Sequence, residues 1–183
     1  MLTMEQRLKN LEIPTGPVDM VLDTDAYNEI DDQFAISYAL HAKEKLNVRA
    51  LYAAPFFNDR SSGPADGMER SYQEILKLLK LSGLQCPVYR GSDRYLPDEQ
   101  TPVASDAAKH LTELAMRYSP EKPLYVAAIG AITNVASALL MKPEIADSIV
   151  VVWLGGNALE WQKNPGNLQI RRIRGRDDFS ADV

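Results

Sequence analysis

One cysteine, two histidines and no excess of positive charge set the first limits on this chain. The single cysteine, Cys86, excludes an internal disulfide and suits a reducing cytoplasm. With 20 basic against 25 acidic residues the formal net charge is −5 and the pI about 5.1, which argues against nucleic acid as a partner. No segment approaches the roughly 20 consecutive apolar residues of a membrane helix, so no membrane role is expected. The opening "MLTMEQRLKNLEIPTGP" lacks the basic start and apolar run of a secretory signal. Internal repeats and low-complexity tracts are missing as well.

What remains is globular: 45% apolar and 25% charged residues in 183, enough for one domain with a real core. Residues 1–17 read as an N-terminal extension, with Leu2, Leu8 and Leu11 hinting at a short helix closed by Pro14 and Pro17. Beyond them, short apolar runs at 18–22, 48–54, 87–91, 124–129 and 148–154 alternate with helical periodicity over 31–43, 67–83, 105–119 and 133–143. In the second helical segment Tyr72, Ile75, Leu76 and Leu79 share one face, which should pack inward. Near-continuous apolar strands between helices predict an α/β fold, a mostly parallel open sheet covered on both faces. Ligands of such sheets lie outside the carboxyl ends of the strands. The loops there carry "DTDAYNEIDD", then "PFFNDRSSG", and "GGN" at 155–157.

The first of these loops is the chemical centre of the sequence. Asp23, Asp25, Glu29, Asp31 and Asp32 fall within ten residues, between a strand and the start of a helix. Crowded carboxylates repel one another and are costly to desolvate without a counter-ion. Either water solvates them as a turn and helix cap, or they hold a cation. Oxygen donors with no nearby His or Cys favour Ca²⁺ or Mg²⁺ over zinc. An EF-hand loop starting at Asp23 fails, because its sixth and twelfth positions are Asn28 and Phe34 where Gly and Glu are needed. The strand and Asp-x-Asp of "VLDTD" also resemble the haloacid-dehalogenase-like phosphotransferases, with Asp23 as nucleophile. That family has a small Thr or Val where this chain has Tyr27.

Four motifs taken in order over residues 18–157 carry a more specific resemblance: "DTDAYNEIDDQFAISYAL", "RALYAAPFFND", "LYVAAIGAITNVASAL" and "SIVVVWLGGN". Together they resemble the inosine-uridine-type nucleoside hydrolases, N-ribohydrolases on a parallel α/β core. The resemblance implies hydrolysis of the N-glycosidic bond of a small-molecule ribonucleoside, with Ca²⁺ as cofactor. It implies that Asp25 coordinates the ion and takes the proton from the attacking water. Asp32 and the Ile129 carbonyl would be further ligands, and Asp23 would support the cluster from behind. Asp31, Asn58 and Asn167 would hold the ribose. In this alignment "AYNEI" is two residues longer than the family's spacing. Glu29 could take the place of the first Asp of the pair, but "DDQFAI" fits a helix start better. His41 and His110 lie inside helical segments, away from strand exits, and are expected to pack or face water.

The family's domain is longer and supplies another Asp ligand and a His near the leaving base. Residues 18–168 therefore read as a partial domain. "QIRRIRGRDDFSADV", residues 169–183, reads as a disordered basic tail left by a truncation or frame-shift near 168. An inactive remnant binding metal or ribose weakly is the alternative function. Ending the sheet after its fifth strand would also leave an edge and apolar faces open to self-association, as in a homo-oligomer.

Overall fold

The computed structural model describes residues 2–155. The alternating pattern becomes strands β1 Val18–Thr24, β2 Leu46–Ala53, β3 Val88–Arg90, β4 Leu124–Ala128 and β5 Ile149–Trp153. The helices are α1 Met4–Asn10, α2 Ile30–His41, α3 Pro64–Ser82, α4 Asp106–Ala115 and α5 Thr133–Met141. A short 3₁₀ turn, Pro143–Asp147, leads into β5. Among the described residues the strands form one parallel sheet in the order β3-β2-β1-β4-β5.

Both faces of the sheet are covered, which is why the central strands bury apolar side chains on either side. Side chains alternate along β1: Val21 points to one face, Met20 and Leu22 to the other. On the first face Val21, Tyr52, Val126 and Ala128 pack with Leu111 of α4 and Val135 of α5. On the opposite face Met20, Leu22 and Leu51 meet Ile36 and Leu40 of α2 and Ile75 and Leu79 of α3. Local chemistry sets the helix ends. Ser105 caps α4 by accepting from the Ala108 N–H at 3.1 Å, and α3 starts at Pro64 and stops at Gly83, whose φ of 69° suits glycine.

The packing departs from the pattern in four places. Leu76 sits at the margin of the α3 stripe and is 38% exposed, since a helix meeting a sheet buries a narrower strip than its apolar face. Along α2, Ile30, Phe34 and Tyr38 recur every four residues and face solvent. On β5, Val152 and Leu154 are exposed as well. Cys86 is half-buried against the core rather than enclosed by it. Among the described residues no helix is long and apolar enough to cross a membrane.

The strand order fixes where a site can lie. From β1 the chain crosses through α2 to β2 on one side, while β4 pairs with β1 on the other. The crevice at the carboxyl ends of β1 and β4 is the topological switch point, the preferred ligand position of open α/β sheets. The acidic segment opens into that crevice.

Candidate active site

Asp23, the penultimate residue of β1, lies on the α5 side of the sheet. It has no exposed surface, and its Oδ1 accepts from Asn134 Nδ2 at 2.8 Å. Asn134, in the first turn of α5, is the hub of the buried polar network. Its Nδ2 also reaches the Ala53 carbonyl at 3.3 Å, and its Oδ1 accepts from the Ser92 N–H at 2.7 Å and from Ser92 Oγ at 3.0 Å. One amide thereby ties together the exits of β1, β2 and β3. Gly91 makes room for it: a Cβ there would lie 2.0 Å from the Ala53 oxygen and 2.4 Å from Asn134 Nδ2. Asn134→Ala strands several buried polar groups at once, each costing about 1–3 kcal/mol. The melting temperature is expected to fall by roughly 10 °C. A fall of under about 2 °C would mean that water replaces the amide.

Thr24, the next residue, turns its side chain to the α2 face, where its hydroxyl donates to Asp32 Oδ1. Asp25 follows, 3% exposed, and its Oδ2 accepts from Asn28 Nδ2 at 3.0 Å. On the far side of Asp25 stands the exit of β4. The glycine at 130 leaves room for Asp25, since a Cβ there would sit 2.9 Å from Asp25 Oδ1 and 3.1 Å from the Ala54 Cβ and would push the carboxylate aside. Ile129, one residue before, is half-buried and donates its N–H to the Asp23 carbonyl at 2.8 Å.

The neighbours in "DD" diverge. Asp32 is 5% exposed and faces the cluster, whereas Asp31 in the same first helical turn is open to solvent. Glu29, the residue before α2, is exposed and forms no side-chain cap. Asn58 is exposed at the rim, with Nδ2 2.6 Å from Asn28 Oδ1. Asn167, Trp161, Gly156 and the basic segment 169–183 lie outside the described residues.

These placements shift the acids' proton affinities upward. Burial raises Asp23 to about 7, against the opposing bond from Asn134. Burial likewise raises Asp25 to about 7, reinforced by the charge of Asp32. Asp32 is raised to about 6, again chiefly by burial, with the Thr24 bond opposing and Asp31 and Glu29 adding repulsion. Three buried carboxylates at one strand junction hold more negative charge than the protein around them compensates.

The two histidines stand elsewhere. His41 is exposed, with Nδ1 2.7 Å from the Ser37 carbonyl. His110 stacks on Tyr89 with centroids 4.0 Å apart, and its Nδ1 is 2.8 Å from the Tyr52 hydroxyl. Both roles are the packing and surface roles the sequence suggests. The phosphotransferase alternative does not survive the geometry, because a nucleophilic Asp23 must reach substrate and Asp23 is enclosed. Asn134, Thr24, Gly130 and Asn28 escape a reading by charge alone. The one local signal for Asn134 is an amide at a helix start directly after a strand and a glycine turn.

The model of the inosine-uridine preferring nucleoside hydrolases matches residues 20–171. The chain belongs to that family. Among solved structures, a purine-preferring ribonucleoside hydrolase from Gardnerella vaginalis is similar at a TM-score of 0.58 and 22% identity, over 76% of this chain and 49% of that one. An inosine-guanosine nucleoside hydrolase gives 0.57 and 19%, over 80% and 51%. The effector protein XOO4466 gives 0.58 and 20%, over 83% and 47%. At these identities the structural likeness speaks for the fold, and the chain spans about half the length of the solved structures it matches. No curated protein matches it. This nucleoside hydrolase family member has its most buried acids at the β1–β4 crevice.

Whether these residues suit a cation follows from their chemistry. Among the described residues no three His, Cys, Asp or Glu side chains gather as a metal site. The cluster does offer two buried carboxylates, Asp25 and Asp32, beside the backbone of the β4 exit. Such all-oxygen donors fit a hard cation in type. Calcium takes roughly six to eight oxygens, so water and other groups have to complete the shell.

Proposed function

We propose that this chain carries part of an N-ribohydrolase site, which cleaves the bond between ribose and base in ribonucleosides with Ca²⁺ held at Asp25 and Asp32. The observation that carries the reading is the placement of Asp25 and Asp32: desolvated, mutually repelling, and set at the switch point of the sheet. A cation there relieves their repulsion, and the family's dependence on a metal supports the same view. When bound, the ion supplies Lewis-acid activation and orientation of water.

The chain's own groups do the rest. Asp25, next to the attacking water, takes its proton on a carboxylate oxygen. The water oxygen bonds to C1′ while the C1′–N bond breaks, its electron pair leaving with the base. Positive charge grows on the ribose in such reactions, and the surrounding carboxylates favour it electrostatically. Asp31, open to solvent at the rim, accepts hydrogen bonds from ribose hydroxyls. Asp23, fixed by Asn134, holds the exit of β1 in place. The Ile129 carbonyl is a further ligand in the proposed set, with Asn58 and Asn167 on the ribose side. Exposed Glu29 and buried Asp32 support the alignment that pairs Asp31 with Asp32.

The test is release of free base from a panel of purine and pyrimidine ribonucleosides, with added Ca²⁺ and with chelator. Chelator-sensitive release is the expected result. A folded chain that binds Ca²⁺ and releases no base would instead favour a remnant that keeps the metal site without the reaction.

A further inference from the structure

Asn28 stands in the connection from β1 to α2, and its bonds leave little freedom to the carboxylate beside it. Its Nδ2 donates to Asp25 Oδ2 at 3.0 Å, and its backbone N–H donates to the Asp25 carbonyl at 2.7 Å. Its own amide is oriented from the next loop. Asn28 Oδ1 accepts from Asn58 Nδ2 at 2.6 Å, and the Asn28 carbonyl accepts from Arg60 Nη1 at 2.5 Å. Asn58 Oδ1 in turn accepts from the Arg60 backbone N–H at 2.9 Å.

The polarity of this relay is fixed at its far end. A backbone N–H can only donate, so it selects the oxygen of Asn58 and turns the Asn58 amino group toward Asn28. That amino group selects the Asn28 oxygen, which leaves the Asn28 amino group for Asp25. Neither amide can flip without breaking two bonds. With Oδ2 held by Asn28 and Oδ1 backed by the glycine at 130, the Asp25 carboxylate plane is set from both sides.

We propose that Asn28 is a positioning residue for Asp25, and that Asn58 acts on Asp25 through Asn28. The proposal rests on the reading that Asp25 holds the cation and takes the proton. Partners behind a metal ligand orient it, and their loss commonly weakens binding or turnover by about 10–100-fold. Asn58 and Arg60 are exposed and Asn28 is only half-buried, so the relay sits on the surface rather than in the core.

The experiment is a calorimetric titration of the full chain with Ca²⁺ alone, alongside kinetics of base release, for wild type, Asn28→Ala, Asn58→Ala and the double variant. Asn28→Ala is expected to weaken Ca²⁺ binding about tenfold, and to lower kcat with KM within about twofold. Asn58→Ala should go the same way to a lesser degree, and the double variant should be no worse than Asn28→Ala alone. Melting temperatures within about 2 °C of wild type would show that the fold is intact. Unchanged Ca²⁺ affinity in Asn28→Ala overturns the proposal. So do losses that add in the double variant, or an Asn58→Ala effect confined to KM, since Asn58 would then serve the ribose alone and not act on Asp25. If wild type binds Ca²⁺ but releases no base, the hydrolase reading fails while the affinity series still decides the relay. A wild-type chain that does neither overturns both.

Discussion

Asp25→Asn is expected to lower base release by about a thousandfold while leaving the chain folded. The substitution keeps the shape of the side chain but removes its capacity to accept a proton, and in the proposed site it would replace a charged cation ligand by a weaker neutral one. It also removes a charge that burial and Asp32 both disfavour. The metal-free variant should therefore melt above wild type at pH 8, an inverse relation between activity and stability common at functional sites. Asp23→Asn is the comparison, and it should cost much less activity. Asp23 is fully enclosed behind the cluster with its bond to Asn134, so it does not touch a substrate in the crevice. Steady-state rates and melting curves for the two variants test this together. A larger loss of kcat from Asp23→Asn than from Asp25→Asn would show that the wrong carboxylate carries the reaction.

The second large effect is on stability against pH. Asp23 and Asp25 are raised to about 7 and Asp32 to about 6, all mainly by burial. An acid with a raised folded value binds its proton more tightly in the native state than in the unfolded chain. Its contribution is therefore fully present below the unfolded value and is lost as pH rises through the folded one. The metal-free chain is expected to lose stability from about pH 4 to about pH 7, in the opposite sense to a protein held by salt-bridged carboxylates. One group shifted by about three units corresponds to roughly 4 kcal/mol, and three interacting groups titrate as a set rather than as a sum. Asp66 and Glu69 shift downward through bonds from Ser62 and Arg90, so their stabilisation is lost only at still lower pH. Ca²⁺ should restore the lost stability at pH 8 and have little effect at pH 5, where protons already occupy the cluster. Thermal melts at pH 5 and pH 8, with and without Ca²⁺, read this directly. A metal-free chain that melts higher at pH 8 than at pH 5 would mean that the three acids are not desolvated as their burial indicates.

Much of this molecule was legible in one dimension, because side-chain period and turn chemistry are local properties. The run "VDMVL" alternates toward two covered faces, and Ser105 and Gly83 mark helix ends wherever the rest of the chain lies. The crowding of Asp23, Asp25 and Asp32 at the end of the first strand is equally local, so the site's neighbourhood was visible before any contact was known. Exposure along α2 was not, since Ile30 and Phe34 look like core residues until a neighbour is or is not there to cover them.

Strand order belongs to the tertiary structure alone, because parallel pairing joins segments far apart in the chain and nothing local encodes which segments meet. That order brings β4 beside β1, and with it the glycine at 130 against Asp25. It carries Asn134 across 111 positions to Asp23. It also parts Asp31 from Asp32, adjacent in sequence but about 100° apart around a helix, one in water and the other in the cluster. The sequence alone determined the kind of sheet and the placing of a group of acids at its first strand exit. Only the packed structure decided which of those acids lose their water, because desolvation is set by what closes over a side chain, and here that came from strands and helices distant in the chain.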